Sequence, residues 1–66
     1  MKENLRPDEV AKVLDISRRS VYRLICDGEL TAFKVGSALR ITAESLEMFK
    51  KRKIKQFQEE NAIFRD

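Results

Sequence analysis

The chain has no histidine and a single cysteine, Cys26. One cysteine excludes an internal disulfide, and without histidine or a second thiol the usual zinc sites cannot be assembled. Cys26 also lacks an imidazole that could activate it, so the residues point away from an enzyme and call for no cofactor. No apolar run approaches the ~18 residues that span a bilayer, and the opening Met1-Lys2-Glu3-Asn4-Leu5-Arg6 has no apolar signal core. The expectation is a cytoplasmic protein that makes no membrane contact. Proline and glycine are scarce, one and two, so Pro7, Gly28 and Gly36 act as punctuation in the chain.

Sixty-six residues make one small domain, and a chain of that size buries only about 60% of its unfolded surface. The core is therefore thin, which argues against an enclosed active site. The net charge is +3, and with no histidine it stays positive across the physiological range. It is −1 over residues 1–17, +3 over 18–41, +2 over 42–53 and −1 over 54–66. The positive charge sits mid-chain, as a surface that tracks phosphates requires.

The most informative stretch is Asp15-Ile16-Ser17-Arg18-Arg19-Ser20-Val21-Tyr22-Arg23-Leu24-Ile25-Cys26-Asp27-Gly28. Ser17 has N-cap chemistry and Gly28 suits the left-handed residue past a helix end, so one short helix lies between them. Val21, Leu24 and Ile25 cluster on one side at 100° per residue. The opposite direction falls at Arg19 and Arg23, with Arg18 and Tyr22 on one flank and Ser20 on the other. Exposed helices ordinarily mix charge signs, and this face holds three arginines and no acid before Asp27. Guanidinium forks fit guanine edges and phosphates, and hydroxyls fit phosphates. With no partner, the same residues would form a solvated arginine face.

Upstream, Pro7 at the first helical position and Asp8-Glu9 in the first turn predict a helix whose N-cap falls on Arg6. Arg6 cannot accept a backbone bond, but Glu9 can reach back to the Arg6 N–H and complete half a capping box. Val10, Ala11, Val13 and Leu14 supply its apolar side, and the helix ends near Leu14 or Asp15. Two helices joined by Asp15-Ile16-Ser17, with Ile16 turned inward, form a helix-turn-helix. Downstream, Thr31-Ala32-Phe33-Lys34-Val35, the turn Gly36-Ser37 and Ala38-Leu39-Arg40-Ile41 predict a two-stranded hairpin. Its contacts with the helices are expected from Leu30, Phe33, Val35, Leu39 and Ile41, while Lys34, Ser37 and Arg40 form a polar, basic wing. Thr42 caps a third helix that returns Leu46 and Phe49 to the core, with Met48 a further candidate. Lys50-Lys51-Arg52-Lys53 reads equally as a solvated helix end and as a phosphate contact.

The fold class expected is mainly α with a small β-hairpin. Residues 1–4 form a frayed end, 5–53 the domain, and 54–66 a tail that is either a helical extension or partly disordered. Ile54, Phe57, Ile63 and Phe64 make that tail a candidate protein contact.

The run Leu5-Arg6-Pro7-Asp8-Glu9-Val10-Ala11 through Gly28-Glu29-Leu30, followed by Phe33-Lys34-Val35-Gly36 and Leu39-Arg40-Ile41-Thr42, resembles the excisionase-type family of small winged helix-turn-helix proteins. It is also similar to the DNA-binding domains of MerR-type regulators. The likeness covers Leu5 to about Lys51. It implies that the helix beginning at Arg18 enters the major groove while the hairpin at Gly36-Ser37 lies along the backbone or the adjacent minor groove. The family often has Thr or Ser where Arg6 stands, and its wing tips are more basic and aromatic than Ser37-Ala38-Leu39. Members include recombination directionality factors, which bend DNA near the ends of mobile elements and turn an integrase toward excision, and small transcriptional regulators of the MerR-like or AlpA-like kind.

The expected activity is sequence-specific binding of double-stranded DNA through Arg18, Arg19, Ser20, Tyr22, Arg23, Lys34, Ser37 and Arg40. Arg19 and Arg23 meet base edges, and Arg18, Ser20, Tyr22, Lys34 and Arg40 meet phosphates. An integrase or recombinase, or a second copy held through the tail, is the further partner expected. The competing reading is a protein-docking module whose arginines meet an acidic surface without DNA.

Overall fold

The computed structural model describes residues 3–61. Its order is β1 (Asn4–Leu5), α1 (Pro7–Leu14), α2 (Arg18–Cys26), β2 (Ala32–Val35), β3 (Ala38–Thr42) and α3 (Ala43–Glu60). This is a winged helix-turn-helix.

Local chemistry sets the helix ends. The Arg6 backbone N–H donates to Glu9 Oε1 at 2.8 Å, the half capping box expected at the start of α1. Ser17 Oγ accepts from the Ser20 N–H at 3.1 Å, and Thr42 Oγ1 accepts from the Ser45 N–H at 3.2 Å. Gly28 takes φ 79° just past α2. There Glu29 N–H reaches the Leu24 carbonyl at 2.9 Å and Gly28 N–H the Ile25 carbonyl at 3.1 Å, the paired closure of a Schellman end. Helix α1 closes in the same pattern, from Ile16 N–H to the Ala11 carbonyl and Asp15 N–H to the Lys12 carbonyl, but its left-handed residue is Asp15, at φ 56°.

The sheet has three strands in the order β1-β3-β2, all antiparallel. The sequence showed only β2 and β3. Strand β1 is two residues long and has no pattern of its own, yet Asn4 pairs with Thr42 and Leu5 with Ile41. Just before it, the Glu3 carbonyl accepts from the Ala43 N–H at 2.8 Å, so residues 3–5 pin the start of α3. Met1 and Lys2 lie outside the described residues.

The core is Val10 and Ala11 of α1, Val21 of α2, Leu30, Ile41 of β3, and Leu46 and Phe49 of α3. Leu5, Leu14, Ile16, Leu24, Ile25 and Ala32 pack around it. Val10, Val21 and Ile41 are fully buried, each worth about 1.5–3 kcal/mol of transfer free energy.

Five residues expected in the core are missing from it, Phe33, Val35, Leu39, Val13 and Met48, of which Leu39 is half-buried. Phe33 is 40% exposed and Val35 65%, and the pairing explains why. Lys34 stands opposite Leu39 and Ala32 opposite Ile41, so Ala32, Lys34, Leu39 and Ile41 share the inner face. Phe33, Val35 and Arg40 occupy the outer one. Val13 and Met48 are likewise exposed, because Val10 with Ala11, and Leu46 with Phe49, already fill the buried stripes of their helices. The tail is helical as far as Glu60. Ile63 and Phe64 lie outside the described residues.

Candidate nucleic-acid interface

Helix α2 is held by its buried side. Val21 is fully enclosed and Leu24 and Ile25 pack against the core, which fixes the rotation of the helix. Arg18, Arg19, Tyr22 and Arg23 are all exposed. Among the described residues, no carboxylate forms an ion pair with Arg18, Arg19 or Arg23. Ser20 is half-buried, and its hydroxyl lies 2.9 Å from Ser17 Oγ, inside the capping pair. Its hydroxyl is thus tied to the start of α2.

The run Lys50 to Lys53 is used differently. Lys50 Nζ lies 3.5 Å from Glu47 Oε1. Arg52 Nη2 donates to Glu29 Oε1 and to the Glu29 carbonyl, both at 3.0 Å, and Lys53 Nζ lies 4.0 Å from Glu29 Oε2. Arg52 and Lys53 also sit over the Phe49 ring, at 5.9 and 5.5 Å from its centroid. Lys50, Arg52 and Lys53 are thus tied to groups of the chain itself, as Arg18, Arg19 and Arg23 are not, while Lys51 is exposed.

The hairpin turn has Gly36 at φ 63° and no positive φ at Ser37, the geometry of a two-residue type II′ turn. Ser37 and Lys34 are exposed. Arg40 is half-buried and donates through Nη1 to the Leu39 carbonyl at 2.8 Å. Lys34 and Arg40 stand on opposite faces of the wing, so the structure does not bring the wing's two cations together.

Sequence reasoning missed Glu29, which holds α3 against the loop after α2. The signal was one acid placed just past Gly28, but its partner lies 23 residues away. Among the described residues there is no group of three or more His, Cys, Asp or Glu placed to hold a metal ion, and no helix is long and apolar enough to cross a membrane.

A family described as a helix-turn-helix domain matches residues 5–61, from β1 to the end of α3. The chain belongs to the helix-turn-helix domain family. Two similar proteins from different strains of Mycobacterium tuberculosis, each named as a candidate DNA-binding protein, are 42% identical to it over 38 residues. Those residues cover 58% of this chain and 49% of each relative. This helix-turn-helix chain thus aligns with about half the length of the curated relatives it matches.

Proposed function

We propose that the protein binds double-stranded DNA sequence-specifically, with α2 in the major groove. One observation carries the reading: Arg18, Arg19 and Arg23 are exposed on one short helix, and no described carboxylate pairs with them. Arg19 and Arg23, opposite the buried Val21, present guanidinium forks to base edges, where guanine O6 and N7 accept two hydrogen bonds at once. Arg18, Ser20 and Tyr22 hold register on phosphates beside the helix. Lys34, Ser37 and Arg40 do so from the wing, and because Lys34 and Arg40 face opposite ways they engage different phosphates. Family membership and the naming of the mycobacterial relatives support the same activity.

One recognition helix covers roughly half a turn of DNA, so a single copy binds weakly and sites come in sets. The likeness to excisionase-type proteins assigns the set to a directionality factor acting with an integrase. The likeness to MerR-type domains assigns it to a transcriptional regulator. Selection of bound duplexes from a random pool tests both levels. An enriched motif recurring as direct repeats in phase with the helical turn supports the excisionase-type role, and an inverted pair supports the regulator. No enrichment, with no duplex binding at low salt, overturns DNA binding and leaves the docking module.

A further inference from the structure

Strand β2 is an edge. The sheet runs β1-β3-β2, and among the described residues no strand lies beyond β2. Thr31, just before it, is tied inward: its carbonyl accepts from the Thr42 N–H at 3.0 Å, and its N–H donates to Ser45 Oγ at 3.1 Å. Antiparallel bonding alternates along a strand, so Phe33 and Val35, opposite Arg40 and Ala38, turn their peptide groups to β3 as Thr31 turns its carbonyl. Those of Ala32 and Lys34 turn outward. Two N–H donors and two carbonyl acceptors thus form a free ladder about 7 Å long, beginning beside a residue that Ser45 holds to α3.

The side chains along that ladder are of two kinds. Phe33 and Val35, on the outer face, are 40% and 65% exposed. Lys34, on the inner face, is exposed as well. Residues 31–42 hold two cations, Lys34 and Arg40, and no acid. Arg40 donates to the Leu39 carbonyl, and Lys34 is the charge at the edge itself. A lysine pointing inward from an edge strand discourages a like strand from adding to it. The β2 of a second copy brings a further cation, whereas a segment with a carboxylate opposite Lys34 turns the same group into an attraction.

We propose that the β2 edge takes up an extended segment of another protein, antiparallel, in which apolar residues flank an acidic one. The backbone of the segment exchanges hydrogen bonds with Ala32 and Lys34. Its apolar side chains lie beside Phe33 and Val35 on the outer face, and its carboxylate meets Lys34 on the inner face. The ammonium group of Lys34 serves this carboxylate or a phosphate, so a docked segment loosens the wing on DNA. Docking itself goes beyond DNA binding and needs no duplex. The ladder is short, and the affinity is roughly millimolar.

The probe is a blocked peptide of valine, glutamate, valine, threonine and valine in that order, titrated into the isotope-labelled full chain without DNA and followed by NMR. It is expected to saturate at millimolar concentration, to shift the amides of Ala32 and Lys34 and to slow their exchange with water. Methylating the peptide's glutamate or threonine nitrogen removes a hydrogen bond to the edge and should abolish binding. Methylating its central valine nitrogen, which points away, should change binding little. Lysine in place of the peptide's glutamate is expected to weaken binding about fivefold, and Lys34→Glu in the protein to reverse that preference. Binding that does not saturate, that falls equally whichever nitrogen is methylated, or whose charge preference survives Lys34→Glu would overturn the proposal. Duplex DNA added without peptide is expected to leave the Ala32 and Lys34 amides exchanging. If duplex slows them instead, the edge belongs to the nucleic acid and the proposal falls, while DNA binding stands.

Discussion

Arg52 and Glu29 are joined twice: Nη2 of the arginine donates to both the side-chain Oε1 and the backbone carbonyl of Glu29, each at 3.0 Å. Glu29 follows the glycine that ends α2, and Arg52 lies in the middle of α3. The pair therefore fixes where the exit of α2 sits against the longest helix. Both side chains are partly solvated, so screening limits the value of the contact. Arg52→Ala is expected to lower the free energy of unfolding by about 0.5–1 kcal/mol, read from urea titration, with the difference from wild type shrinking at high salt.

The register of the wing makes a sharper claim. Ile41 is fully buried, whereas Phe33, which stands opposite Arg40, is 40% exposed. Ile41→Ala should cost about 2–5 kcal/mol, enough to unfold much of so small a domain. Phe33→Ala should cost about 1 kcal/mol or less, because much of its ring already meets water. Thermal melts of the two variants check the order. A Phe33→Ala loss equal to that of Ile41→Ala would place Phe33 on the inner face.

Ser17, Gly28 and Thr42 were legible in the sequence because capping is chemistry between residues three or four apart. The outward direction of Arg19 and Arg23 was legible for the same reason, since Val21, Leu24 and Ile25 fix it within one helix. The wing was not. Both faces of Ala32-Phe33-Lys34-Val35 contain apolar residues, so alternation alone does not say which is buried. The answer came from cross-strand partners, with Leu39 and Ile41 bringing Lys34 and Ala32 to the inner side. Strand β1 is too short to have a period, and it exists because β3 offers an edge to Asn4 and Leu5. The Glu29 contact depends on how α3 lies against the loop, which no local pattern encodes.

Asp15 holds the left-handed position between α1 and α2 at φ 56°, a conformation costly for most L residues and open to glycine. Its counterpart after α2 is Gly28, at φ 79°. Asp15→Gly is expected to leave stability unchanged or raise it by up to about 1 kcal/mol, while the β-branched Asp15→Val lowers it by about 1–2 kcal/mol. Chemical denaturation of the two variants reads the difference.

Base contacts and phosphate contacts leave different signatures. Arg19→Ala should cost about 1–3 kcal/mol on a selected site and relax preference at one base pair. Lys34→Ala should weaken selected and scrambled duplexes alike and flatten the salt slope by about one phosphate. Titrations of both variants on both duplexes separate the roles. Equal effects on the two duplexes from either variant would remove the division of labour between helix and wing.

The most direct test of the arginine face is duplex affinity against salt for the wild type and for Arg19→Ala/Arg23→Ala, two exposed substitutions that leave the core untouched. The wild type should bind at low salt, with the logarithm of its affinity falling linearly as the logarithm of salt rises. The folded double variant should lose most of that affinity and all preference for the selected site. A double variant that binds like the wild type, or a wild type that ignores duplex DNA at low salt, would contradict the account.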